Sequence, residues 1–228
     1  MAALLGHYGP LPRPGGQGGP EVDEGPFGAI ARVAIGLVAD ARATDAALAA
    51  LRGAGLLEAE ALSKASPAEV EDVLKGGRVR LAARSLGPLR KLAAWAAGGG
   101  LGDEAGGDGG ESDAPSTESL REEWRSINGV GPATADALLL FALGRPSYPV
   151  DRATYRVFVR HGWLDPSADY DEARGSAEGL APGDPATLAL VAPAMTRLGR
   201  DFCKAGTPRC ERCPLRPWLP DGGPREAE

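Results

Sequence analysis

Long apolar runs are missing from this 228-residue chain. No stretch of about eighteen consecutive apolar residues occurs, which excludes a membrane-spanning helix. Met1 to Asp23 lacks a basic run followed by an apolar one, so no secretory signal is expected there and a cytoplasmic location is. Cysteine is scarce. The three cysteines, all between Cys203 and Cys213, do not make the even, dispersed set of a disulfide framework, in keeping with a reducing compartment. Histidine is scarcer still, with His7 and His161 alone. Alternating runs of strand type and internal repeats are both wanting. An apolar content of 43% nevertheless excludes disorder throughout and allows a buried core.

The net charge of -6 argues at first against a nucleic-acid partner, but its distribution matters more than its total. Residues 1–25 carry -2, residues 97–118 carry six acids and no base, and residues 217–228 carry -2, so the rest of the chain is at +4. Its bases gather at Arg78, Arg80, Arg84, Arg90 and Lys91, and again at Arg197, Arg200, Lys204, Arg209, Arg212 and Arg216. Two phosphate-facing patches would look like this, as would two solvated helix faces.

Residues 1–25 are rich in Gly and Pro, lack apolar periodicity and are expected to form a disordered arm. The acidic stretch 98–118 reads as a disordered insertion within the fold, and 217–228 as a disordered tail. Between them the signals are helical. Phe27, Ile30, Val33, Ala34 and Leu37 recur at helical spacing, as do Ala47, Leu48 and Leu51. Ser66-Pro67-Ala68-Glu69 is a capping box with proline at the first helical position. Asp184-Pro185 gives another helix start, and Leu81 to Trp95 is apolar at helical spacing up to Gly98-Gly99-Gly100. The chain reads as an all-α protein of eight to ten short helices.

Ile127-Asn128-Gly129-Val130-Gly131-Pro132 separates two helical patterns, Leu120 to Arg125 and Thr134 to Ala142. Two glycines allow the positive φ of a tight turn and leave backbone N–H groups exposed where the second helix begins, a place suited to a phosphate. An ordinary glycine-linked hairpin would show the same pattern. Arg145-Pro146-Ser147-Tyr148-Pro149-Val150-Asp151 follows at once, and Asp151 with Arg152-Ala153-Thr154 is a good helix start.

With these two features at this interval, Leu120 to Leu164 resembles the helix-hairpin-helix and following aspartate loop of the endonuclease III-like DNA glycosylases, the HhH-GPD superfamily. Phe27 to Leu48, with Ala43-Thr44-Asp45, is similar to the family's opening helices, and 203–213 to its cysteine segment. The resemblance implies a two-lobed helical fold with a DNA cleft between lobes. One lobe would be 45–150, and the other would join 26–44 to 151–216. It implies base-excision repair by a monomer on double-stranded DNA carrying a damaged base, in the nucleoid-associated cytoplasm. Asp151 would be the catalytic carboxylate, expected to be ionised at its helix N-terminus. Gly129, Val130, Gly131 and Thr134 would hold the DNA backbone, Arg42 would stand where the family fills the vacated stack, and Arg209 and Arg212 would contact phosphates. Trp124, Tyr148, Tyr155, Phe158 and Trp163 are candidates for stacking on a flipped base, although aromatic residues at helical spacing are more often core.

Two departures bear on the chemistry. Bifunctional relatives carry a lysine two residues after the second hairpin glycine, where its amine forms a Schiff base; here that residue is Ala133. The implied enzyme is therefore monofunctional, hydrolysing the N-glycosidic bond of a damaged or alkylated base, and the alternative is a catalytically inactive DNA-binding relative. Adenine excision ranks lower, because that branch places an acid where Leu37 and Val38 stand, and Asp40 is off that register. Cys203, Cys210 and Cys213 keep the family's first two cluster intervals, six and two intervening residues, while Leu219 takes the fourth place. A [4Fe-4S] cluster ordinarily requires four thiolates, so the motif reads as degenerate, and no intact cofactor is expected.

Overall fold

The helical signals become eleven α-helices among the residues described by the computed structural model, which are 1–16, 24–81, 83–101 and 115–225. They are α1 Ala2–Tyr8, α2 Gly25–Gly36, α3 Ala41–Gly53, α4 Ala59–Lys64, α5 Pro67–Gly76, α6 Ala83–Trp95, α7 Thr117–Ser126, α8 Pro132–Phe141, α9 Arg152–Arg160, α10 Tyr170–Glu178 and α11 Pro185–Asp201. Those residues contain no strand. Most of the expected acidic insertion, 102–114, lies outside the described residues, as do 17–23 of the arm and 226–228 of the tail.

Side-chain caps fix where the helices start. Ser66 and Glu69 bond reciprocally across the first turn of α5, and Asp169 and Glu172 do the same for α10. Asp40, Asp151 and Asp184 each accept a backbone N–H in the first turn of α3, α9 and α11. Such a cap contributes about 1 kcal/mol, because it satisfies one of the N–H groups that a helix leaves orphaned.

The chain divides into two compact units, 14–143 and 1–13 with 144–228. The first has a continuous core in which Ile30 and Val33 of α2 join Leu48 and Leu51 of α3, Leu89 and Leu92 of α6, Trp124 of α7 and Leu138 of α8. Burial of α2 in this core corrects the expectation that the 26–44 segment belongs with the residues after 150. Within the unit, α7 and α8 are joined by an ion pair that water does not reach. Arg121 Nε donates to Asp136 Oδ1 at 2.7 Å, with both side chains all but fully buried, and Glu118 also accepts from Arg121.

The second unit is built on α9 against α11. Gly199 of α11 allows the close approach: a Cβ there would lie 2.5 Å from Ala153 Cβ. Arg156 on α9 then spans to the end of α11, donating to Cys203 O at 2.6 Å and Gly199 O at 3.3 Å. Residues 2–8 depart from the expected disordered arm. Leu4 is buried, the Tyr8 hydroxyl donates to Asp201 Oδ2 at 3.2 Å, and His7 meets the Phe202 ring edge-on. Burial of Leu4 and these polar contacts offset the ordering entropy that composition alone left unbalanced. The tail is ordered to Arg225, whose N–H donates to Arg160 O at 3.0 Å.

Removing Asp136 takes the buried partner from the Arg121 guanidinium and leaves Glu118, more than half exposed, as a carboxylate paired with it. Asp136→Ala is expected to lower stability by about 3–5 kcal/mol in urea unfolding; a loss under 1 kcal/mol would contradict the pairing.

Candidate functional site

The hairpin turn runs from Ile127 to Gly131, between α7 and α8. One of its two glycines uses a positive φ. Gly129 sits at φ 97, and a Cβ there would lie 2.6 Å from the Pro88 ring, so both the backbone and the neighbour demand glycine. Gly131 is the extended N-cap of α8, with φ -81 and open space where a Cβ would be, which corrects the expectation that both glycines serve φ. Val130 N donates to Ile127 O, and Lys91 Nζ donates to Asn128 O at 3.2 Å, which holds the turn from outside. Among the described residues the N–H groups of Gly129, Gly131 and Ala133 have no acceptor, and Gly129 and Gly131 are exposed. The Val130 side chain is buried, so its backbone alone is available to a ligand. Thr134 follows, half-buried, in the first turn of α8. Arg42 is exposed in the first turn of α3.

Asp151 opens α9, and its Oδ1 accepts the Thr154 N–H at 2.6 Å. Its Oδ2 has no hydrogen bond among the described residues. Asp151 is half-buried and lines an open pocket of about 570 Å³ with Val150, Arg152, Tyr155, Arg156, Tyr170 and Ala205. That volume lies within the range of small-molecule and cofactor sites, about 300–1,000 Å³. The Tyr155 hydroxyl donates to Pro166 O at 2.7 Å, which fixes the ring beside the carboxylate. Arg156 is committed to backbone carbonyls, whereas Arg152 is exposed.

The other aromatic candidates divide cleanly. Trp124, Tyr148 and Phe158 are core, and Trp163 is exposed with one edge toward Phe158. Burial pushes the Tyr148 phenol well above its usual range, and the Asp151 charge pushes the same way. The sequence reading missed Tyr170, which reaches the pocket from a separate helix and carries no local signal. It also missed Arg152, although it is the residue directly after Asp151.

The cysteine loop forms a second centre in the same unit. Cys203, Cys210, Cys213 and Leu219 line a small cavity with Arg160, His161 and Phe202. Burial pushes the Cys210 and Cys213 thiols up and His161 down. Three thiols and an apolar Leu219 do not make the four-thiolate set of a [4Fe-4S] cluster, and among the described residues no three His, Cys, Asp or Glu side chains are grouped to hold one metal ion. Arg209, Arg212 and Arg216 are exposed around this loop.

No protein-family model matches the chain. It is 38% identical over 97 residues to a provisionally named DNA repair glycosylase of Methanocaldococcus jannaschii, covering 42% of this chain and 44% of that protein. It is 30% identical over 105 residues to endonuclease III of Sulfolobus acidocaldarius, covering 43% and 44%. The matched part thus spans less than half the length of either relative. Among solved structures, an endonuclease III trapped as a covalent intermediate with DNA superposes with a TM-score of 0.52 at 23% identity, over 85% of this chain and 83% of that one. A thermostable thymine-DNA glycosylase superposes with a TM-score of 0.59 at 17% identity, over 93% and 89%. Helix order, the glycine turn and the aspartate-capped helix agree with these similarities: the chain has the all-helical fold of the endonuclease III-like structures.

Proposed function

We propose that this protein is a monofunctional DNA glycosylase of base-excision repair, hydrolysing the N-glycosidic bond of a flipped damaged or alkylated base in double-stranded DNA. The observation that carries the reading is Asp151, a helix-capping carboxylate with one oxygen uncommitted, on the wall of an open pocket. Its Oδ1 is anchored by the Thr154 N–H, so the group is oriented before substrate arrives. The second oxygen orients water toward the sugar carbon or opposes positive charge on an oxocarbenium-like sugar. Tyr155 and Tyr170 offer aromatic surface to a nucleotide held beside it.

Binding of the duplex rests on backbone contacts. Unpaired N–H groups at the start of α8 take one phosphate, and the exposed Arg209 and Arg212 take others, which positions DNA without reading sequence. Arg42 enters the stack the flipped base leaves. A similarity to relatives named as glycosylases supports the activity, and Ala133 supports the absence of strand cleavage. With methyl in place of an amine, no Schiff base forms at that position. Ala133 also motivates the second reading, a DNA-binding relative without chemistry.

Three outcomes follow. On a panel of duplexes each bearing one lesion, the wild type is expected to excise at least one base. Asp151→Asn keeps an equally good cap, so stability should hold within about 1 kcal/mol, while excision falls by about 10²–10⁴-fold with binding retained. Structure-dependent binding with no excision of any lesion would instead establish the second reading. Borohydride should trap no covalent protein–DNA adduct during turnover; an adduct would refute the Ala133 assignment. Replacing Arg209 or Arg212 by Ala should weaken binding to all duplexes alike and reduce the salt slope by about 1 each; an unchanged slope would remove that residue from the interface.

A further inference from the structure

Arginines stand on successive turns of α9 at 152, 156 and 160, and only the first is uncommitted. Arg156 and Arg160 donate to backbone carbonyls at and beyond the end of α11. Arg152, the first residue of the helix, is exposed, and its guanidinium has no hydrogen bond or ion pair among the described residues. Its place is electrostatically poor, because a cation in the first turn meets the positive end of the helix dipole. Asp151 is its neighbour in sequence, yet no ion pair joins the two, and Asp151 Oδ1 is taken by the Thr154 N–H. Both residues line the same pocket, with Tyr155 and Tyr170. One wall therefore presents two opposite charges that do not neutralise each other, and stability of the helix does not account for the cation.

A breaking N-glycosidic bond has the same pattern of charge. Its electron pair leaves with the base, so positive charge grows on the sugar and negative charge on the base; water then gives its oxygen to C1′ and its proton, by way of Asp151 or solvent, to the departed base. Asp151 opposes the first charge, and a planar guanidinium that stays protonated at any working pH is suited to the second. We propose that Arg152 is a catalytic residue that opposes the negative charge of the departing base, and that the substrates are bases uncharged in DNA, which depart as anions, rather than N-alkylated cations, which depart neutral. Tyrosine faces accept a cationic base as readily as an uncharged one, so the discrimination rests on Arg152. Its charge repels a cationic base in the ground state and gains nothing from the departure of that base. This inference rests on the glycosylase reading and narrows its substrate class.

The experiment is single-turnover excision by the full chain from duplexes containing uracil, hypoxanthine or 8-oxoguanine, all uncharged, and from a duplex containing cationic 7-methylguanine, each measured against spontaneous loss of the same base. The wild type is expected to accelerate release of at least one uncharged base, and to accelerate release of 7-methylguanine less or not at all. Arg152→Gln should slow release of the uncharged base by about 10²–10³-fold, the usual cost of removing one donor aimed at developing charge, with affinity for the duplex retained. Arg152→Lys should recover part of that rate, because it restores the charge without the planar fork. A larger acceleration for 7-methylguanine than for any uncharged base, or an Arg152→Gln rate equal to that of the wild type, would overturn the proposal and leave the glycosylase reading standing. So would weaker binding of every duplex with a reduced salt slope and an unchanged rate at saturation, which would make Arg152 a phosphate contact. Release of no base at all by the wild type would remove the glycosylase reading, and this inference with it.

Discussion

The crossing of α9 over α11 decides where the carboxylate of Asp151 stands. Gly199 permits a backbone approach that any side chain would block, and Arg156 holds it by donating to carbonyls at the end of α11. The first turn of α9 is thereby fixed, and Asp151 is fixed with it because its Oδ1 caps that turn. A single short helix thus sets the geometry of the candidate chemistry at one end. At its other end, Arg160 and His161 organise the cysteine loop. The two centres share a rigid element of nine residues, and each is anchored by hydrogen bonds rather than by its own flexible loop.

In the other unit the same economy appears in the hairpin. Its turn is defined by one positive φ at Gly129, packed against Pro88, and by a carbonyl accepting from Lys91. The buried Arg121–Asp136 pair locks α7 to α8 from within, so the N–H groups at the start of α8 are presented by two helices that cannot easily shift against each other. Such a pair adds little net stability over an apolar contact, but it admits one register of the two helices. That is the property needed of a backbone clamp.

Much of this was legible in local sequence. The capping residues Ser66, Asp151 and Asp184 marked helix starts that the structure contains, because a cap is decided within four residues. The glycine turn was legible for the same reason, although only Gly129 needed its freedom. What was not legible depended on partners far along the chain. Seven residues give too little periodicity to reveal α1, and its burial is provided by Asp201 and Phe202. The place of α2 followed from its core neighbours, not from its own pattern. Tyr170 beside Asp151 and His161 beside Trp218 are juxtapositions made by the fold, and no spacing rule anticipates them.

The central claim is that Asp151 is a fixed negative charge meeting positive charge on a sugar. Affinity for duplexes carrying an abasic-site analogue tests it directly, with a cationic pyrrolidine ring compared against a neutral tetrahydrofuran ring of the same shape. The account predicts that the wild type prefers the cationic ring by about 10²-fold or more, and that Asp151→Asn binds both alike. Equal affinity of the wild type for the two rings, or a preference that survives in Asp151→Asn, would contradict it.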